Sequence, residues 1–220
     1  VANTVTVQNV IDWAKAFTRL LPNTGVGGVS NEPALTLANM VQQTLLAAPF
    51  AWRWNRTSVT FNVLNGTQDY AQAMTDLGFI EKVTISTGSA IYSMDIANVL
   101  PEETKTNRPF VVAAQKDDGI TVTFRFFPVP NFNGTATVTY QKAAPKITSL
   151  SATWILPDNL AYLYETGFLA MLFLHAADQR AVAEYQKFMQ LALAASQGFS
   201  ADTKVFAAAN PQAQDASAQK

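Results

Sequence analysis

The sequence predicts an α+β fold. The two ends of the chain build a four-helix bundle, and an antiparallel β-sandwich or barrel-like domain is inserted between them, ahead of an extended C-terminal tail. Two observations predict it. Apolar residues recur at helical spacing in residues 6–21, 31–46, 159–177 and 179–197, and at strand spacing through residues 57–150. A helix with one apolar stripe must bury that stripe, and stripes at opposite ends of a chain meet only if the strands between them form an insertion. The boundaries read this way are 1–50 with 154–198 for the bundle, 51–153 for the β domain and 199–220 for the tail.

In the first helix Val7, Val10, Ile11, Ala14, Phe17 and Leu21 fall on one face, and Gln8, Asp12, Lys15 and Arg19 on the other. Pro22 stops it. A connector, Asn23–Ser30, carries Gly25, Gly27 and Gly28. The second helix starts near Ser30 or Asn31 with Pro33 in its first turn, shows a stripe of Leu37, Met40, Val41 and Leu45, and ends before Pro49. The third opens at Pro157-Asp158 and is apolar nearly all round, which marks it as the central helix. Asp178 is the expected N-cap of the fourth, where Val182, Tyr185, Phe188, Met189 and Ala192 face inward and Arg180, Glu184 and Lys187 outward. Gly198 is the expected stop. Beyond it only Phe199, Val205 and Phe206 are strongly apolar, too little for a fold of its own.

Between the helices, Val59, Phe61 and Val63 alternate with polar residues, and Asn65-Gly66 turns the chain. Val83 and Ile85 continue the period of two, Ile91–Ile96 forms a short strand, and residues 97–109 read as an exposed loop. Phe110–Ala114 and Ile120–Phe126 make a hairpin around Asp117-Asp118-Gly119, with Ile120, Val122, Phe124 and Phe126 pointing one way. Pro128-Val129-Pro130 ends that arm. After Asn133-Gly134, Ala136, Val138 and Tyr140 alternate again. Turn signals this dense fit a small barrel or sandwich.

Charge narrows the function classes. Charged residues are 14% of the 220, against an ordinary ~25%, so much of the surface is expected to meet other protein. Fifteen basic and sixteen acidic residues give a net charge of −1, and no segment has the basic excess of a nucleic-acid binder. There are no cysteines, which excludes disulfides and thiolate metal sites. No basic stretch followed by an apolar core stands at the N-terminus, so no signal peptide is expected, and Val1 fits removal of an initiator Met. The most apolar stretch, Leu160–Ala177, contains Glu165 and His175 and reads as a buried helix instead of a membrane span.

Candidate chemistry is sparse. His175 is the only histidine, and with Asp178 it would polarise a nucleophile such as Ser151 or Thr153 in a hydrolase. An imidazole at a helix C-terminus is the stronger reading, because nothing marks a nucleophile elbow or an oxyanion hole. Asp117-Asp118 and Glu102-Glu103 lack a metal-loop spacing and read as solvated loops. Asp69, Asp76 and Glu81 give no acid–base spacing. Gly25-Val26-Gly27-Gly28 follows a helix and lacks the Gly-Lys-Ser/Thr of a phosphate loop. The three Asn-X-Thr sites, at Asn55, Asn65 and Asn133, read as turn chemistry. Trp52, Trp54, Phe126 and Phe127 lack the interleaved Lys and Arg of a single-strand platform. Trp52-Arg53-Trp54 instead reads as an aromatic plug at the exit of the second helix, with Arg53 and Arg56 placed to cap helix carbonyls or pair with carboxylates. No catalytic, cofactor or metal residue is assigned.

The order of features resembles a family. Trp52-Arg53-Trp54 follows the second helix, then the strand Val59–Val63, Asn65-Gly66-Thr67-Gln68-Asp69-Tyr70 and Phe79-Ile80-Glu81-Lys82-Val83. Phe126-Phe127-Pro128-Val129-Pro130 comes next, then the strand ending at Tyr140, Leu156-Pro157-Asp158, and Asp178-Gln179-Arg180-Ala181 at the last turn. Over residues 6–197 this is similar to the head-to-tail connector (adaptor) proteins of tailed bacteriophages, including the tail tubular protein A type. Ala71-Gln72 stands where relatives often carry Leu-Pro. The resemblance implies a non-enzymatic virion protein at the head–tail interface, assembled in the host cytoplasm. It implies a homo-oligomeric ring, commonly of twelve copies, beneath the portal protein and joined to tail or nozzle proteins. DNA would pass through without sequence-specific binding, and no membrane is involved. It gives the tail a purpose, with Phe199, Val205 and Phe206 as anchors on the portal or a neighbouring subunit, and makes Trp52, Arg53 and Trp54 further partner-binding candidates. Another virion part, for tail completion or capsid decoration, is the alternative, and a hydrolase using His175 a more distant one.

Overall fold

A computed structural model describes residues 3–18, 33–88, 90–100 and 105–208, the last eleven of these in backbone only. The chain forms two compact units, one of residues 1–45 with 145–220 and one of residues 46–144. The fold is mixed α+β, with four helices and a sheet that curls into a nearly closed barrel.

Helix α1 (Val7–Phe17) starts at a capping box that the sequence reading passed over. The Thr6 hydroxyl accepts the Asn9 N–H at 3.2 Å, and the Asn9 side-chain oxygen accepts the Thr6 N–H at 2.9 Å. Val7, Val10, Ile11 and Ala14 are buried as expected, but the helix ends at Phe17, which is exposed, with Thr18 extended. Leu21, Pro22 and the glycine connector lie outside the described residues, as do Ser30 and Asn31. Helix α2 (Ala34–Leu46) opens with the Pro33 carbonyl accepting the Leu37 N–H at 3.0 Å. Helix α3 (Ala161–His175) follows a 3-10 turn at Asp158–Leu160 and buries eight residues around its circumference. It is central: α1 and helix α4 (Ala181–Ala208) pack on it, and Val41 of α2 reaches it at Gly167.

Two expectations for α4 need correction. The inward stripe is Ala181, Phe188, Ala192 and Ser196, while Val182 is 65% exposed. The helix also does not stop at Gly198 but runs on to Ala208. A glycine in a helix interior costs about 1 kcal/mol relative to alanine, which a helix can absorb. The tail is thus helical where it begins. Residues 209–220 lie outside the described part.

The β unit holds strands β1 (Arg56–Val63), β2 (Asp69–Ala73), β3 (Leu77–Ser86), β4 (Ile91–Ala97), β5 (Thr106–Asn107), β6 (Val111–Asp117), β7 (Thr121–Phe127), β8 (Val129–Pro130) and β9 (Gly134–Lys142). Seven form one sheet in the order β1-β9-β3-β4-β6-β7-β2, and β5 pairs with β8. Two pairings depart from the antiparallel expectation, since β4–β6 and β5–β8 are parallel. A parallel neighbour requires a crossover connection in place of a tight turn, and β5 falls within residues 97–109, which the sequence reads as loop. Strand β2 was also missed, because its Asp69-Tyr70-Ala71-Gln72-Ala73 buries only Tyr70 fully.

Curling brings the two edge strands toward one core. Phe61 of β1 packs on Tyr70 of β2 and on Phe124 and Phe126 of β7, with ring centroids 5.6–6.2 Å apart. Val122, Phe124 and Phe126 are fully buried as the alternation predicts, but Ile120, at the hairpin turn, is exposed. Gly66 and Gly119 have φ of +78° and +79°, the left-handed backbone a tight turn favours. Gly134 has a different reason to be glycine, since a Cβ there would lie 2.7 Å from the Ser86 carbonyl oxygen.

The tightest contact in the helical unit is also at a glycine. A Cβ on Gly167 would sit 2.7 Å from the Phe188 ring and 2.8 Å from Val41 Cγ1, and both side chains are fully buried. Gly167→Ala should therefore destabilise by about 1–3 kcal/mol despite its better helix propensity. Urea unfolding checks this, and Val41→Ala in the same chain should recover part of the loss.

Candidate docking surfaces

The segment that leaves the β unit and leads into α3 has no regular structure over residues 145–157 apart from a single bridge, Thr6 to Thr153. Its polar backbone must be satisfied from elsewhere. Asn39 on α2 donates to the Ile147 carbonyl at 2.9 Å and accepts the Ile147 N–H at 2.8 Å. Gln42, which is buried, donates to the Pro145 carbonyl. The start of the chain runs alongside. Val7 N–H donates to Ala152, Gln8 N–H to Leu150, and Trp154 N–H to Val5. Trp154 stacks on Tyr164 of α3 at 3.7 Å, and the Tyr164 oxygen accepts the Leu156 N–H at 2.7 Å. Burial pushes the Tyr164 hydroxyl's pKa up.

Asp158 completes this arrangement. Its carboxylate accepts the Thr4 N–H and hydroxyl, both at 2.8 Å, and the Val5 N–H at 3.4 Å. These hydrogen bonds hold its pKa below the ordinary carboxylate value.

The hydrolase reading of His175 finds no assembled partners. Both oxygens of Asp178 are engaged by Arg180, at 2.9 and 2.8 Å, and its pKa falls to about 2. Asp178 also accepts the Arg180 N–H, but α4 begins at Ala181, so Asp178 stands in the turn ahead of the helix and not at its N-cap as expected. Ser151 hydrogen-bonds Ser149, and Thr153 bridges to Thr6. His175 is exposed and lines an apolar pocket of about 390 Å³ with Pro33, Leu37, Met40, Met171 and Leu174. Among the described residues no three of His, Asp and Glu gather as a metal site, and no helix is long and apolar enough to cross a membrane. Asp117 and Asp118 serve their turn, accepting the N–H groups of Gly119, Ile120 and Thr121. Glu102-Glu103 lies outside the described residues.

The partner-binding candidates are placed unequally. Trp52 is fully buried, with Phe50 and Trp54 rings at 6.4 and 6.0 Å, and its carbonyl accepts from Gln141. Arg53 is exposed and Trp54 half-buried. Phe199, Val205 and Phe206 fall within the helical backbone of α4, while their side chains lie outside the described part. Apolar residues that period alone does not mark as exposed include Val182 and Leu193 on α4, Tyr162 and Leu174 on α3, and Ile91 and Phe110 in the β unit. A stripe read as wholly inward, or a strand read only for its period, does not reveal which apolar residue the fold leaves uncovered.

The geometry thus shows exposed apolar residues on both units and two sheet edges, β1 and β2, without a second strand neighbour. The sequence profile of the SU10 adaptor protein family matches residues 7–213. The chain belongs to that family and is a phage structural adaptor protein. No curated protein matches it.

The depressed pKa of Asp158 gives a signed prediction. A carboxylate whose folded pKa is lowered contributes stability above its unfolded value of 3.8 and loses it as pH falls through the folded pKa. The N-terminal segment should thus loosen below pH 3.8 while remaining in place at neutral pH. Amide exchange at Thr4 and Val5 checks this, and Asp158→Asn should produce the looseness already at pH 7. His175→Ala should change unfolding stability by no more than about 0.5 kcal/mol, as measured by thermal melting.

Proposed function

We propose that this protein is a head-to-tail connector that joins the portal to the tail of a phage particle, assembles as a ring and lines part of the DNA channel. The observation that carries this reading is membership of the adaptor family over nearly the whole chain, residues 7–213. Charge supports it. A chain with a net charge of −1 and only 14% charged residues gives DNA little to hold, as a channel wall requires when affinity for nucleic acid comes mainly from phosphate neutralisation.

In this reading the helical unit is a four-helix bundle that builds the ring. The β unit presents a second docking surface toward tail or nozzle proteins, and the chain beyond Gly198 reaches the portal. Helix α4 supports the last assignment. Its 28 residues against 15 in α3 make it longer by roughly 20 Å at 1.5 Å per residue, so its final turns outrun the helix it packs on. Phe199 and Phe206 are seven residues apart on that overhang, the spacing of one helical face. The reaction class is none: the protein acts by binding.

Mixing with portal protein tests the proposal. Light scattering should report a ring-sized complex, and a chain that stays monomeric and unbound with portal present would overturn the connector role. Deleting residues 199–220 should leave the melting of the rest intact while weakening portal binding by about tenfold or more. Undiminished binding would remove the tail from the interface.

A further inference from the structure

Three Asn-X-Thr sites stand in the β unit, and two of them, Asn65-Gly66 and Asn133-Gly134, are asparagine followed by glycine. That dipeptide is the one most open to loss of the side-chain amide, because glycine has no side chain to hinder attack by its own nitrogen. Asn55 lies outside this chemistry. It is buried, its amide donates to the Lys142 carbonyl at 2.9 Å, and Arg56 follows it. The fold treats the other two unequally. Asn65 is exposed, in a turn closed by the Thr67 N–H on the Leu64 carbonyl at 3.1 Å. Its side chain makes no hydrogen bond among the described residues. One bond, from the Gly66 N–H to the Pro130 carbonyl at 2.8 Å, restrains the glycine beside it.

Asn133 is held twice. Its side-chain oxygen accepts the Asn65 N–H at 2.9 Å, and its glycine opens β9 in register with Val63 of β1. The Ser86 carbonyl oxygen crowds that glycine, the same close approach that leaves no room for a Cβ. Reaction at Asn133 thus requires its side chain to leave Asn65 and the strand end to open. Reaction at Asn65 requires only that the turn peptide leave Pro130.

We propose that Asn65 and Asn133 are an ordered pair of spontaneous modification sites, Asn65 losing its amide first and Asn133 after it. In each step the glycine N–H gives up its proton, and its nitrogen forms a bond to the asparagine Cγ. The bond from Cγ to the amide nitrogen breaks and ammonia leaves, which gives a cyclic imide. Water then opens the ring at either carbonyl, to aspartate or isoaspartate. Water is the only co-reactant, and nothing is oxidised or reduced. The order follows from the bond between the two sites. Isoaspartate at position 65 adds a methylene to the backbone inside the turn, where the Tyr70 hydroxyl holds Leu64 and Thr67. The N–H at position 65 is thereby drawn off the Asn133 oxygen, which frees the second site. One new carboxylate then stands within residues 57–68, which have no ionisable side chain. The other lines a cleft of about 480 Å³ whose walls, among them Asn62, Ser86 and Thr87, are otherwise uncharged. The surface at this end of the β unit therefore changes with the age of the chain. The chemistry needs no partner, so it stands or falls separately from portal binding.

The test follows both sites in the isolated chain at mildly alkaline pH, by peptide mapping with fragmentation that separates aspartate from isoaspartate. Asn65 should convert first. Asn133 should begin about tenfold slower or more, because it must open locally before it reacts, and should accelerate as Asn65 is consumed. In the urea-unfolded chain the two should convert at similar rates. Asn65→Gln keeps the backbone N–H and forms the imide far more slowly, so this variant should melt like the parent and hold Asn133 at its slow initial rate. Four results would overturn the proposal: Asn133 converting in the folded chain as fast as Asn65, no acceleration once Asn65 is consumed, the same acceleration in Asn65→Gln, or no conversion in the folded chain while both sites convert in urea. If the variant does not fold, the time course of the parent against the unfolded chain decides alone.

Discussion

The structure depends on how the chain returns from the β unit. Residues 145–157 have almost no regular structure, yet they must carry their polar backbone past apolar helices to reach α3. An unpaired buried N–H or carbonyl costs about 1–3 kcal/mol, so this segment is tolerable only because other parts supply its partners. Asn39 binds both polar groups of Ile147, Gln42 binds Pro145, and the first residues of the chain pair with 150–154. Asp158 then fastens that first segment to the start of α3. A helical unit made from two distant pieces of sequence is thereby closed by hydrogen bonds as well as by packing. Gly167 shows the packing side, since α2, α3 and α4 approach so closely there that even a methyl group does not fit.

The β unit solves a different problem. Seven strands with two free edges would leave much apolar surface wet if the sheet stayed flat. Curling places Phe61, Tyr70, Phe124 and Phe126 around one another, and each buried aromatic contributes roughly 1.5–3 kcal/mol. Polar side chains hold the end of the barrel opposite the β1–β2 turn. Asn55 donates to Lys142, Gln141 to Trp52, and Tyr140 to Asp76 at 2.9 Å. The Tyr140 pKa rises to about 12, through burial first and then through the Asp76 carboxylate. The edges remain unbonded to each other.

Much was legible in the sequence, and the exceptions have common causes. The stripe Val7, Val10, Ile11, Ala14 and the alternation Val122, Phe124, Phe126 gave correct helix and strand faces, because each face is buried along its whole length. Strand β2 escaped notice since only Tyr70 is fully buried. Val182 was assigned inward because a stripe shows hydrophobicity and not which neighbour covers it. Gly198 has the residue type of a helix end, but a single glycine costs a helix only about 1 kcal/mol and does not by itself stop it, and α4 runs on to Ala208. Asp178 is bound by Arg180 two residues on, which removes the partner a His175 site would need, and no spacing rule foretold that choice.

By itself the sequence determined that the protein is α+β, that its helices come from the two ends, that its strands lie between them, and that it carries few charges, 14% of its residues with a net charge of −1. These are properties of period and composition, which act locally or as sums. The tertiary structure alone decided that β4 and β6 run parallel, that β1 and β2 are left as unbonded edges, and that residues 145–157 are held by Asn39, Gln42 and the chain start. Each of those depends on which distant groups come within hydrogen-bonding or van der Waals reach. Local propensity does not encode that reach; closure of the whole chain does.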